Sequence, residues 1–247
     1  MIPAATLIIF RAPPAPGALM PEILMVERAS HMRFAAGASV FPGGRVDPAD
    51  QALAQSHPGD PEDTAARIAA IRETLEETGL ALGLHQTISA PQAAAARAML
   101  QQCGALAPVL AHFGWTLDLP ALTPFAHWRQ PTVGGFDTRF YLANLGSGAV
   151  DLAADATETT RLFWTTPADA LRAGAAGRLR LIFPTRRNLE RLARHACFEA
   201  AQHDAHSHTI TAITPRIIAQ DGADWLTIPD GLGYPILREA LSQTQRG

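Results

Sequence analysis

The chain has 247 residues, 47% apolar and 17% charged, with a formal net charge of −3; it is long enough for a sizeable core and unlike a disordered or fibrous chain. All twenty cationic side chains are arginine and are scattered among twenty-three acids, so there is no basic excess to take up polymeric nucleic acid. Cys103 and Cys197 lack disulfide or metal spacing, "ATLIIF" is too short to span a bilayer, and the first residues lack a signal-peptide pattern, so a cytoplasmic protein with no membrane partner is expected.

In chain order, "ATLIIFR" and "ILMVER" read as two strands joined by a Pro/Gly-rich connection, and "ASVF" as a third strand ending in Pro42, Gly43 and Gly44. Residues 44–59 read as loop, with a turn of helix in "PADQALAQS". The clearest helix runs from Pro61 to Thr78: Asp60 can cap it, Pro61 opens it, Glu62 and Asp63 oppose the dipole, and Gly79 stops it. An alanine-rich helical stretch over 91–113 is expected to break near Gly104. Strands are expected at "TRFYLANL" and "TRLFWTT", and "PADALRAG" starts like a helix. "PTRRNLERLARHACFEAAQ" reads as one amphipathic helix, followed by β-type runs "TITAITPRII" and "DWLTIP". With no repeat and no linker, residues 1–247 read as a single α/β domain, with a C-terminal helix and strands over about 185–240.

The stretch "RETLEETGL" sets Glu73, Glu76 and Glu77 within an arc of about 100° on the 61–78 helix, with Ile68, Ile71 and Leu75 on the opposite, core-facing side. Ala66, Ala69 and Ala70 are expected to leave an open floor beside the charges. Like charges at this spacing repel, so a counter-charge is implied. Mg²⁺ or Mn²⁺, bound by carboxylate oxygens and able to hold phosphates, suits that requirement; the plainer reading is a solvated acidic face. Upstream, Gly43 and Gly44 let the backbone come close to a ligand.

"FPGG" followed by "RETLEETGL" resembles the Nudix box, G-x5-E-x7-R-E-U-x-E-E-x-G-U with U aliphatic. Arg72, Glu73, Glu76, Glu77, Gly79 and Leu80 fill its second half in register. The resemblance implies a Nudix-type α/β/α sandwich with a mixed sheet and helical insertions, and hydrolysis of a diphosphate linked to another moiety. It further implies that Glu73, Glu76 and Glu77 hold the metal with the carbonyl of Gly44 nearby, and that Arg72, Gly43 and Gly79 are structural. The pattern sets its arginine fourteen positions after its glycine, whereas Arg72 follows Gly44 by 28, so the box spans 44–80 with an insertion at about 51–64. Counting forward from Gly44 puts the first acid of the box at Asp50; counting back from Arg72 puts it at Thr64, beside Asp63. Both partners for Arg72 stay open. Thr74 stands where the pattern prefers an aliphatic residue.

Before the glycines, "LMVERASHMRFAAGASVFPGG" is similar to a coenzyme A diphosphatase signature, L-L-T-x-T-[SA]-x3-R-x3-G-x3-F-P-G-G. Leu24, Ala29, Arg33, Gly37 and Phe41 to Gly44 agree with it, and Met25, Val26 and Arg28 depart. The branch implied is that of coenzyme A diphosphatases with an enlarged box, giving 3′,5′-ADP and 4′-phosphopantetheine or its acyl form. Alternatives are hydrolysis of ADP-ribose, NADH or a dinucleoside polyphosphate, or a non-catalytic Nudix-fold nucleotide sensor. Arginine forks suit the substrate's phosphates, and Arg33, Arg45, Arg129 and Arg139 are the candidates. Catalysis is expected from Glu76 and Glu77, with Glu158 as a further ligand or base. His127, Trp128 and Trp164 could face a base, and "HDAHSH" could bind a metal, although core packing and a plain polar loop are the commoner roles for such residues. A small nucleotide is the expected partner, and a homodimer is left open.

Overall fold

The computed structural model describes residues 1–12, 20–29, 35–146 and 159–244. Strands β1 (Ile2–Arg11), β2 (Glu22–Arg28), β3 (Ser39–Val40) and β4 (Gly43–Arg45) come first. Helices α1 (Pro48–Ala54), α2 (Pro61–Thr78), α3 (Ala90–Cys103) and α4 (Leu106–Phe113) follow, then β5 (Thr123–Arg129), β6 (Phe136–Asn144) and β7 (Thr159–Thr165). The chain continues through α5 (Pro167–Ala175), α6 (Phe183–Leu192) and α7 (Phe198–His206). It ends with β8 (Ala212–Ile213), β9 (Arg216–Gln220), β10 (Ala223–Thr227) and β11 (Arg238–Ala240).

Eight strands form a mixed sheet in the order β3-β2-β1-β6-β5-β8, with β4 paired to β1 and β7 to β2; β9 to β11 form a separate antiparallel sheet. β1 is central, and its "ATLIIF" is apolar except for the partly buried Thr6 because the strand is covered on both faces. Alternation sends Ala5, Leu7 and Ile9 into the core under α2, α3 and α4, and Ile8 and Phe10 into the core shared with α6 and α7. Two helical layers therefore enclose one mixed sheet, the α/β/α sandwich expected from the sequence.

Helix α2 follows its punctuation. Asp60 accepts a hydrogen bond from the Glu62 amide at 3.2 Å, Pro61 opens the first turn, and Gly79 closes the last with φ of 77°. The α1 segment, expected as loop with a turn of helix, is a helix of seven residues. The alanine-rich stretch breaks at Gly104, as expected, into α3 and α4. Two expectations fail. The single helix over 184–202 is two, α6 and α7, interrupted at 193–197. Ala66, Ala69 and Ala70 are not an open floor: all three are buried, and their small side chains let α2 lie close against its neighbours in the core.

Candidate active site

The site begins where β4 meets α2. β4 pairs with β1 so that Gly44 lies opposite Ala5 and Gly43 opposite Thr6. Gly43 has φ of 153°, and a Cβ there would sit 2.3 Å from the carbonyl oxygen of Ala5, so only glycine fits. Its amide donates to Glu77 Oε2 at 3.0 Å. A Cβ at Gly44 would lie 2.3 Å from Glu73 Oε1, so the Glu73 carboxylate occupies the space that glycine leaves. The two glycines thus bring the β4 backbone against two of the three box carboxylates.

Arg72 organises the remainder. Its side chain is only 4% exposed, and its donors are fully engaged. Nε reaches Asp50 Oδ1 at 3.0 Å, Nη2 reaches Asp50 Oδ2 and the carbonyl of Arg45 at 2.9 and 2.8 Å, and Nη1 reaches Glu73 Oε1 and Glu76 Oε2, both at 3.0 Å. Asp47 stands 3.5 Å away. The partner of Arg72 is therefore Asp50, the acid reached by counting forward from Gly44. Asp63 instead pairs with Arg67 at 2.6 Å and accepts from the Tyr141 hydroxyl at 2.8 Å. The insertion in the box thus lies after Asp50. Asp47 is a contributor that sequence reasoning missed: it caps α1 beside Pro48, a signal that was legible, but nothing in the spacing ties it to Arg72.

The charges are not balanced. Burial pushes the Glu73 carboxyl up to about 7, against the pull of Arg72, and burial raises Glu76 as well. Burial works against the Arg72 cation too, but the bond to Asp50 and the charges of Glu73, Asp50 and Glu76 hold it above its ordinary value. Among the described residues no group of three or more His, Cys, Asp or Glu side chains is already gathered around a metal position; Glu73 and Glu76 lean on Arg72 and Glu77 on Gly43. The residues nevertheless fit a hard divalent cation. Their donors are carboxylate oxygens, two of them are under-compensated, and the Gly44 backbone lies directly against Glu73.

The other candidates are dispersed. Arg33 and Glu158 lie outside the described residues. Arg45 is exposed, with its guanidinium 6.0 Å from the Phe136 ring centre, and strand alternation sends it to the sheet face opposite Glu73. Gly44, Ala5, Arg139 and His127 stand in one register row across β4, β1, β6 and β5. Arg139 in that row pairs with Glu62 at 3.2 Å and Asp63 at 3.6 Å, about 15 Å along α2 from Glu73 at 1.5 Å per residue. Arg129 pairs with Asp137 at 3.2 Å, and Asp137 also holds His127. Trp128 is core, its indole donating to Tyr234, and Trp164 lies beneath Arg11. His203 and His206 are exposed on α7, and His208 turns back to the carbonyl of Asp204.

No family model matches the chain. A solved Nudix hydrolase from Alicyclobacillus acidocaldarius superposes with a TM-score of 0.70 at 28% identity, over 85% of this chain and 97% of that one. In fold and in box residues the chain is similar to Nudix hydrolases. It is also similar to the acyl-coenzyme A diphosphatase NUDT19 of Homo sapiens, 27% identical over 215 residues, and to that of Gallus gallus, 26% identical over 219 residues. Each match covers 65% of this chain, and 56% and 58% of the respective relatives.

Proposed function

We propose that the chain is a Mg²⁺- or Mn²⁺-dependent pyrophosphohydrolase that cleaves the diphosphate of coenzyme A or an acyl-coenzyme A. One observation carries the reading: three box carboxylates share the end of a core-anchored helix, with Glu73 and Glu77 against the glycine pair and Glu76 held beside them by Arg72. Glu73, Glu76, Glu77 and the Gly44 carbonyl would hold the cation, which when bound would neutralise the diphosphate and activate water. The chain's own residues supply the geometry. Asp50 holds Arg72, Arg72 holds Glu73 and Glu76, and the Gly43 amide orients Glu77. A box glutamate or Glu158 is the proposed proton acceptor, and Arg33 is the proposed phosphate contact. Arg45 faces away from Glu73 across the sheet, and Arg129 and Arg139 would join Arg33 only by leaving their present acidic partners. The substrate assignment is supported by the signature before the box and by the similarity to acyl-coenzyme A diphosphatases.

Purified protein incubated with Mg²⁺ or Mn²⁺ and, separately, coenzyme A, acyl-coenzyme A, ADP-ribose, NADH and a dinucleoside polyphosphate tests both levels. The expected products, read by mass, are 3′,5′-ADP and a phosphopantetheine compound, and EDTA abolishes them. Cleavage of ADP-ribose with coenzyme A left intact refutes the substrate. No cleavage of any member refutes the enzyme.

A further inference from the structure

The stretch from Ala90 to Phe113 lies outside the box, and Arg97 is its one permanently charged side chain. Ala93, Ala96 and Leu100 fix α3, with Ala96 and Leu100 in the same core cluster as Ile68, Ile71 and Leu75 of α2. Arg97 follows Ala96 on this anchored helix, and its Nε donates to the main-chain carbonyl of Glu76 at 2.8 Å.

That carbonyl needs a donor from outside the helix. The last carbonyls of an α-helix have no amide ahead of them. Gly79 turns into the left-handed region and returns its amide to Leu75. The Leu80 amide, which would otherwise continue the ladder to Glu76, is taken by Thr78 Oγ1 at 3.1 Å. Arg97 satisfies the vacant carbonyl and sets a cation at the negative end of the helix dipole. α2 is thereby held at two places: Asp50 of α1, at the first acid position of the box, grips Arg72, and Arg97 of α3, outside the family pattern, grips the turn carrying Glu76 and Glu77.

We propose that Arg97 is a positioning residue, which aims Glu76 and Glu77 at the cation by fixing the main chain of the last turn of α2. The inference rests on the reading of Glu73, Glu76 and Glu77 as cation ligands. Mn²⁺ affinity measured by electron paramagnetic resonance, with kcat and KM for coenzyme A, tests it at a temperature where thermal melting shows each variant folded. Arg97→Ala is expected to weaken Mn²⁺ binding and lower kcat, each about 10-fold, with KM within about twofold of the wild type. Arg97→Lys keeps a cation at the helix end and is expected to recover most of both, and Arg178→Ala, at an exposed arginine, changes neither. If Arg97→Ala fails to fold, Arg97→Lys and Arg97→Gln carry the comparison, the glutamine variant being the weaker. Wild-type Mn²⁺ affinity and kcat in Arg97→Ala overturn the inference whatever happens to the melting point, as does a raised KM with kcat unchanged. Glu77→Gln separates the two levels: if it abolishes activity while Arg97→Ala does not, only Arg97 loses its role. If neither changes Mn²⁺ binding or turnover, the carboxylate site itself fails.

Discussion

At the scale of single residues, Arg72 and the two glycines hold most of the information. A buried guanidinium bound on four sides is costly to strip of its main partner, so Asp50→Ala is expected to destabilise the protein by about 3–5 kcal/mol. Asp63→Ala, at a partly buried ion pair that also accepts from Tyr141, is expected to cost less, about 1–2 kcal/mol; urea unfolding measures both, and equal losses would contradict the pairing. Gly44→Ala drives a methyl group into the Glu73 carboxylate and is expected to lower turnover about 10-fold or more, with the protein still folded. Glu76→Gln and Glu77→Gln are expected to lose about 100-fold or more of turnover with little change in melting temperature. The carboxylates were legible because helical spacing alone gathers them. The Arg72 partner was not: with an insertion of unknown position two counts disagree, and only the three-dimensional path shows that the extra residues follow Asp50.

At the scale of elements, legibility tracked local signals. α2 has a capping aspartate, an opening proline and a closing glycine, and all three act as they read. Gly79→Ala, forced to keep φ of 77° with a side chain, is expected to destabilise by about 1–2 kcal/mol, measurable in the same urea titration. β4 carries two glycines in three residues, and β5, "TPFAHWR", has a proline and a register shift between Pro124 and Ala126 that breaks its alternation. Neither offers a clean period of two, so both strands depend on pairing with β1 and β6. The split between α6 and α7 was hidden for the opposite reason: helix-compatible residues run through 193–197, so propensity does not mark the end of α6.

At the scale of the whole molecule, α6 joins the C-terminal elements to the main sheet through buried charges. Arg187 holds Glu190 and Glu239 of β11, each at 2.9 Å, and Arg191 holds Asp204 of α7 at 2.7 Å and the carbonyl of Phe125 in β5 at 3.0 Å. A pattern reader sees an arginine-rich polar face there; the structure buries it because each cation finds an acid on another element. Burial pushes the Glu190 carboxyl up from 4.5 to about 7, with Arg187 and Arg186 opposing and Glu239 adding to the shift. Between those two values the folded protein binds more protons than the unfolded chain, so this group's contribution to stability falls as pH rises from about 4.5 to about 7. Glu190→Gln is expected to flatten that part of the melting-temperature profile relative to the wild type; an unchanged slope would remove Glu190 from the account.

The central proposal is that Glu73, Glu76 and Glu77 hold a divalent cation for cleavage of a coenzyme A diphosphate. Incubating wild type and Glu77→Gln side by side with coenzyme A and Mn²⁺, and following 3′,5′-ADP by mass, tests it most directly. The account predicts steady release of 3′,5′-ADP by the wild type, stopped by EDTA, and about 100-fold less from Glu77→Gln. Equal release from both proteins, or release that survives EDTA, would contradict it.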